Sequence, residues 1–511
     1  MVAHPVACSG PADARSLSRA PGFGKRSTGR RAPPSVRVVA GQGPQLWWPG
    51  RRGTDDAQGP RSGASGPSVP APTLRTLERV EPDRVAPDAV GAARASPDGA
   101  APSADRLVRG DNARVMQALL PELRGQVDLA YIDPPFDLGI DHKMRVASGA
   151  GGRGEEVVAY RDRFGTGGTA YLEMLWERLV LVRELLADTG SLLVHCDWHQ
   201  SHLIRTLLGE LFGARHFVNE IVWWYYNKIQ GNVGRFAANH DVILWFRKGD
   251  SFTFHPQHEA RERPVRQLVR VWDREKRALV NARDALGRVH YRESATRSLG
   301  DVWRLPMLQP ADRRENTGYA TQKPEALLER IVRAASNEGE LVVDVFCGSG
   351  TTAAVAARLG RRWLAVDAER LAVHVARKRL IGVQSALGDA ALPFEICDLA
   401  GAAAAEAPPS VAAHARLRES PAGLVADVEL AEFGPGLARL DFWAVDFLPR
   451  AGAPFVPRWR AYRTRRDPAL PLTSDAAWRY SGPGPHPARV QAIDVLGHEV
   501  FCDVCFELPA S

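Results

Sequence analysis

The sequence predicts an α/β protein whose central sheet is mostly parallel and covered by helices. Three observations carry that expectation. Residues 341–346, Leu-Val-Val-Asp-Val-Phe, form a short apolar run rich in β-branched residues, the composition of a strand buried on both faces. Residues 126–132, Gln-Val-Asp-Leu-Ala-Tyr-Ile, form a second such run. The third observation is the succession after residue 346. Gly348 and Gly350 allow a tight turn and close approach of backbone to a ligand. Ala353, Ala354, Ala356, Ala357 and Leu359 favour a helix from Thr351, and Gly360 supplies its stop. Arg-Arg-Trp-Leu-Ala-Val-Asp (361–367) then reads as the next strand, ending in a carboxylate.

This strand–turn–helix–strand unit suits an adenosyl group. Asp367 follows Gly350 by 17 residues (367 − 350), near the roughly 20-residue spacing at which an acid in a βαβ unit reaches ribose hydroxyls. The glycines do not form Gly-x-Gly-x-x-Gly, and no Gly-Lys-[Ser/Thr] follows, which argues against both NAD and ATP. A glycine turn before a helix also fits an ordinary strand-to-helix connection.

The run at 126–132 ends in Asp133-Pro134-Pro135-Phe136. The carboxyl end of a strand is where open α/β sheets place ligands. Two prolines fix the following backbone and remove its donors. A carboxylate and a proline-locked carbonyl can accept both hydrogens of an exocyclic amino group, shifting its nitrogen toward tetrahedral geometry and raising its nucleophilicity. Phe136 offers a flat surface for a base, and a base in a duplex reaches such a pocket only by being flipped out. A strand-terminating turn with a helix-capping Asp is the alternative.

Together, and in this order, the two elements resemble the DNA amino-methyltransferases that use S-adenosylmethionine, in particular the β class, whose catalytic motif precedes the cofactor motif. Type III modification subunits are similar. Arg-Leu-Val-Arg-Gly-Asp-Asn-Ala-Arg-Val-Met (106–116), Gly-Ser-Leu-Leu-Val-His-Cys-Asp (190–197), Glu-Leu-Phe-Gly (210–213) and Gly-Tyr-Ala-Thr-Gln-Lys-Pro-Glu-Ala-Leu-Leu (318–328) resemble further family segments, so the resemblance spans roughly residues 105–385. It implies a Rossmann-like S-adenosylmethionine-dependent methyltransferase sheet with permuted motif order. Asp133, Pro134, Pro135 and Phe136 match the base-handling motif. Asp344, Phe346, Gly348, Gly350 and Thr351 match the cofactor loop, Asp367 the ribose acid, and Lys323 and Pro324 the preceding pocket segment. Asp at the first motif position accompanies adenine N6 in this family, where Ser is commoner among cytosine N4 enzymes. Cytosine N4, an RNA amine, or an inactive DNA-binding relative are the alternatives. Val345, where relatives carry proline, and Asp-Leu-Gly-Ile-Asp (137–141), where they often read Asn-Thr-Gly, depart from the pattern. The implied partners are double-stranded DNA, a second copy in a homodimer, and a restriction subunit.

At 511 residues the chain is long enough for more than one domain. No run of 18 apolar residues and no signal-peptide core is present, so a cytoplasmic location and no membrane partner are expected. Residues 1–100 are rich in Pro, Gly, Ser, Ala and Arg and read as a disordered basic tail. Residues 101–390 read as the methyltransferase domain, with a target-recognition insertion at 216–315, a linker at 391–424 and a small β-rich accessory domain at 425–511. Of the net charge of +7, segment 261–314 alone contributes +7, with 14 Lys/Arg against 7 Asp/Glu. Arg263, Arg266, Arg270, Arg274 and Arg277 are candidates for phosphate or base contacts; a solvated helix face explains any one of them equally well. Ile-Val-Trp-Trp-Tyr-Tyr-Asn-Lys (221–228) reads as a half-buried strand or as a base-stacking cluster.

His195, Asp197, His199 and His202 have the residue types of a metal site. No metal is expected, because a sulfonium is already an activated leaving group, and Asp197 reads as a helix cap. Cys502-Asp-Val-Cys505 lacks a partner pair for tetrahedral zinc and reads as a packed strand.

Overall fold

The computed structural model describes residues 71–82, 105–146, 154–164, 168–228, 231–400, 409–421 and 423–509, with the backbone of Ser35–Val39 and Gly43–Trp47. Its centre is a ten-stranded sheet. In chain order the strands are β1 (Leu74–Val80), β2 (Asp105–Arg109), β3 (Val127–Ile132), β4 (Leu186–Cys196), β5 (Phe217–Trp224), β6 (His240–Arg247), β7 (Val302–Arg304), β8 (Leu341–Asp344), β9 (Arg362–Asp367) and β10 (Phe394–Leu399). Their spatial order is β7-β5-β6-β4-β3-β8-β9-β2-β10-β1. From β4 through β10 every neighbour is parallel. β6 is antiparallel to both β4 and β5, and β1 is antiparallel to β10.

Both faces of this sheet are covered, which is why its strands are uninterrupted apolar runs rather than alternating ones. Along β3, Leu129 and Tyr131 enter one core while Val127, Ala130 and Ile132 enter the other. Helices α1 (Asn112–Leu123), α2 (Thr169–Leu185) and α3 (Ser201–Phe212) supply Met116, Leu175 and Leu207 to the second core. Helices α4 (Glu325–Ala335), α5 (Thr351–Arg358) and α6 (Arg370–Leu387) supply Leu328, Ala354 and Leu380 to the first. The predicted helix from Thr351 thus forms, and it stops before Gly360, whose φ is +71°.

Several boundaries differ from the sequence reading. Residues 391–399 are not linker: β10 pairs in register with β2, because Phe394, Ile396, Cys397 and Leu399 have buried places on the two faces of the sheet. Residues 411–420 are likewise strand, paired with Gly423–Phe433. Part of the N-terminal hundred is ordered, since β1 completes the sheet edge and Ser35–Val39 pairs with Gly43–Trp47. The rest of that tail lies outside the described residues. The stretch 216–315 is not wholly an insertion, because β5, β6 and β7 extend the sheet through Ile221, Trp223, Leu244 and Trp303. What departs from the sheet is an antiparallel arm, His258–Leu268 against Tyr291–Ser298, capped by Arg270–Asp273 against Ala278–Asn281. No residue from 258 to 298 is buried. Arg263, Arg266 and Arg270 therefore sit on strands, and Arg274 and Arg277 on a turn; none is on a helix.

At the carboxyl terminus a four-stranded sheet follows, in the order Trp459–Tyr462, Leu440–Asp446, Gly484–Asp494, Glu499–Leu508. Phe442, Ala444, Phe455 and Ile493 share the core that holds α6. Asp441 takes hydrogen bonds from His374 and Lys378 of α6. This region is therefore packed onto the main sheet rather than tethered to it. Cys502 and Cys505 lie on its last strand as free thiols.

Candidate active site

The two motifs are 211 residues apart (344 − 133), yet they meet. β3 and β8 are parallel neighbours, with Leu129 opposite Val342 and Ala130 opposite Val343. Their carboxyl ends therefore stand side by side, and a cavity of about 910 Å³ opens there. Asp133, Pro134, Pro135, Phe136 and Lys323 line it, as do Asp344, Phe346, Gly348, Thr351 and Asp367. Gly350 and Pro324 are not on its wall and act from behind it.

On the β3 side, Lys323 Nζ donates to Asp133 Oδ2. Asp133 Oδ1 is buried and has no partner. A buried carboxylate oxygen without a donor is costly, and this one belongs to a residue on the cavity wall, with its accepting capacity unused. The Lys323 ammonium lies 5.6 Å from the centroid of the Phe136 ring, where the ring quadrupole favours it. The backbone after the prolines is held by Asp162 of strand Glu155–Asp162, whose carboxylate accepts Phe136 N–H at 3.2 Å and Asp137 N–H at 2.6 Å.

A buried polar chain lies beneath Phe136. Tyr131 Oη is 2.8 Å from His195 Nδ1, His195 Nε2 is 3.2 Å from Asp241 Oδ2, and Tyr225 donates to Asp241 Oδ1 at 3.3 Å. Burial raises the Tyr131 hydroxyl well above its ordinary range, so it stays protonated. A Tyr131 O–H donating to Nδ1 with Nε2–H donating to Asp241 then satisfies the whole chain. Burial alone would raise the Asp241 carboxyl, but the hydrogen bond from His195 Nε2–H and the charge of the nearby Lys323 hold it below the usual carboxylate range. The imidazole is stacked under Phe136, 6.1 Å between centroids at 23°. His195 thus supports the Phe136 ring. Asp197 Oδ1 accepts the N–H groups of His199 and Gln200, both at 3.0 Å, so it closes the turn that leads into α3; the helix cap itself is Gln200, without a side-chain bond, and the expected capping role of Asp197 moves to that turn.

On the β8 side the glycine turn is held from within. Asp344 Oδ1 accepts Phe346 N–H at 3.0 Å and Oδ2 accepts the Thr352 hydroxyl at 2.5 Å. Burial raises this carboxyl to about 7. Gly350 starts α5 with φ +73°, and a Cβ there would lie 2.9 Å from Ala376 Cβ. Gly348 has φ +49°, and its Cβ would lie 3.1 Å from the Tyr319 ring. Asp367 Oδ2 accepts Gly348 N–H at 2.8 Å and Oδ1 accepts Glu369 N–H at 2.9 Å, while burial raises its carboxyl to about 6. Asp367 also lines the cavity. Thr351 Oγ1 is engaged by Arg379 at 2.8 Å, so it braces the turn from behind.

Sequence reasoning passed over several wall residues. Asn112 donates to Val345 C=O at 2.7 Å and accepts from Arg178 at 2.6 Å, tying α1 and α2 to the glycine turn. Asp111, Tyr319 and Glu369 also line the cavity. The signal for the first two was present in segments 106–116 and 318–328. The Tyr131–His195–Asp241 chain joins three distant parts of the sequence, and no local spacing announces it.

Residues 127–378 match the family model described as DNA methylase. This segment belongs to the DNA amino-methyltransferase family. A type II methyltransferase, M.EcaI, from Enterobacter cloacae is 28% identical over 332 residues, covering 55% of this chain and 71% of its own. Type II methyltransferase M2.DpnII from Streptococcus pneumoniae is 28% identical over 279 residues, covering 54% and 88%. Both are named as type II enzymes, whereas the motif resemblance extended to type III modification subunits. A solved M1.HpyAVI–SAM complex aligns over 54% of this chain and 98% of its own, at 18% identity and a TM-score of 0.34. For the DNA amino-methyltransferase, S-adenosylmethionine is the cofactor. The cavity wall fits it: a turn stripped of a Cβ atom at Gly348 and an acid at Asp367. No helix among the described residues is long and apolar enough to cross a membrane.

Proposed function

We propose that this amino-methyltransferase modifies the N6 amino group of adenine in duplex DNA. The observation that carries the reading is the Asp133 carboxylate, with Oδ2 fixed by Lys323 and Oδ1 buried without a donor. A flipped adenine placed against Phe136 would donate one N6 hydrogen to Oδ1 and the other to the Pro134 carbonyl. Both bonds draw the lone pair out of the ring and aim it at the methyl group. S-adenosylmethionine, when bound, supplies that methyl on a sulfonium whose departure needs no further activation. The protein's contribution is position and electrostatics. Asp rather than Ser at position 133 favours adenine over cytosine N4.

The exposed arm is the recognition element in this reading. Between residues 258 and 298 it carries 11 Lys/Arg against 6 Asp/Glu, a net of +5 (11 − 6). A two-stranded ribbon fits the major groove, and guanidinium groups neutralise phosphates in a salt-dependent way. Arg263, Arg266, Arg270, Arg274 and Arg277 belong to this surface.

The test is purified protein with unmethylated genomic DNA and methyl-labelled cofactor, followed by nucleoside mass analysis. N6-methyladenine is expected. N4-methylcytosine would overturn the assignment from Asp133, and label in neither base would overturn the DNA reading.

A further inference from the structure

We propose that Phe236 is the wedge that enters the DNA stack when the target base leaves it; the inference rests on the DNA reading above. The connection from β5 to β6 contributes Tyr225, Lys228 and Ala238 to the cavity wall. In this connection Phe236, two residues before the wall residue Ala238, is 88% exposed. Single exposed apolar residues are common on any protein. Phe236 differs from them in position and in tethering.

The loop is closed at its base by Tyr225 N–H donating to Asn239 C=O at 3.0 Å. Next to Phe236, Ala237 N–H donates to the Asn232 side chain at 2.9 Å. On its other side, the Arg235 guanidinium lies 5.1 Å from the centroid of the Trp198 ring. Trp198 itself lines the cavity and stacks on His199, with centroids 3.5 Å apart. An aromatic side chain in water is thus held through both chain neighbours, beside two residues, Trp198 and Ala238, that line the cavity. Residues 225–240 contain Lys228 and Arg235 and no Asp or Glu, so nothing in the loop repels a phosphate backbone.

Extruding a base leaves a gap whose unstacking is unfavourable by a few kcal/mol. A flat apolar side chain inserted between base steps restores part of that contact. Phe236 has the shape and exposure for this role, and the distance to the cavity is set by the loop it shares with Ala238.

The experiment compares single-turnover methylation by wild type, Phe236→Ala and Phe236→Trp on two duplexes containing the mapped recognition site. In one the target is normally paired; in the other it lies opposite an abasic site and is already unstacked. Phe236→Ala is expected to lose about tenfold to a hundredfold on the paired duplex, to recover on the abasic one, and to keep its cofactor affinity. Phe236→Trp should retain the wild-type pattern. No loss on the paired duplex, or an equal loss on both, would overturn the wedge. Failure of the wild type on both duplexes would instead overturn the DNA reading, and the wedge with it.

Discussion

Lys323 was matched by resemblance to the cofactor pocket, yet its ammonium bonds the carboxylate that faces the base. Lys323→Met separates the two roles. The pair is largely removed from water, with side chains 11% and 18% exposed. Taking away one partner of a buried hydrogen-bonded pair costs about 3–5 kcal/mol. Partial exposure here reduces that to about 2–3 kcal/mol, since solvent screens what it reaches. With Oδ1 already lacking a donor, the variant leaves the whole Asp133 side chain unpartnered. If this loss falls on the methyl-transfer step, about 1.4 kcal/mol per decade makes it roughly 30- to 150-fold in rate. Single-turnover methyl transfer reads that rate, and calorimetry reads cofactor binding separately. The expected result is a slower transfer with cofactor Kd changed by less than about threefold, a shift under 1 kcal/mol. A tenfold weaker cofactor with an unchanged transfer rate would refute the reasoning and return Lys323 to the cofactor side.

Asp133→Ala should abolish transfer while calorimetry finds S-adenosylmethionine still bound; loss of binding would show that the two motifs do not divide the ligands. Gly350→Ala forces a side chain into φ +73° and toward Ala376, which should destabilise by about 2–4 kcal/mol in denaturant titration; an unchanged midpoint would remove Gly350 from the supports of the site. The pH dependence follows from two raised carboxyls, Asp344 at about 7 and Asp367 at about 6. Both favour the protonated form in the fold, so their contribution is fully present below the unfolded value of about 4 and is lost as pH rises through about 6 to 7. Denaturation of the cofactor-free protein between pH 5 and pH 8 should reveal the decline, and Asp344→Asn should flatten it; an unaltered slope in that variant contradicts the assignment.

What could be read in advance was whatever depends on short-range chemistry. The β-branched runs at 126–132 and 341–346 give strands because both faces of the sheet are covered, and their terminal motifs carry recognisable residue types. Alternation at 221–224 likewise gave a half-buried strand, with Ile221 and Trp223 buried and Trp224 exposed. The arm escaped because Arg at 263, 266, 270, 274 and 277 recurs every three or four residues, a helical spacing. With no apolar stripe at the same period, that spacing selects nothing, and cross-strand pairs such as Trp272 with Leu279 decide the structure instead. The linker reading of 391–424 failed for a related reason: composition does not mark the six-residue strand Phe394–Leu399 or the strand Val411–Ser420, and residues 401–408 lie outside the described residues.

The division of labour inside the site was beyond sequence for a more basic reason. Asp133, Asp344 and Asp367 are all carboxylates at strand ends, and spacing treats them alike. Their partners distinguish them. Asp344 uses both oxygens on its own turn, through Phe346 N–H and the Thr352 hydroxyl. Asp367 gives one lone pair each to Gly348 and Glu369 and also lines the cavity. Asp133 alone of the three has an oxygen with no donor at all. A carboxylate whose donors are all internal holds the structure; one short of a donor and also on the cavity wall, as Asp133 is, has capacity left for a ligand hydrogen. In the proposed reading that difference assigns the amino group to Asp133 and makes Asp344 a brace for the turn, although the motif resemblance ranks both as ligand-binding residues.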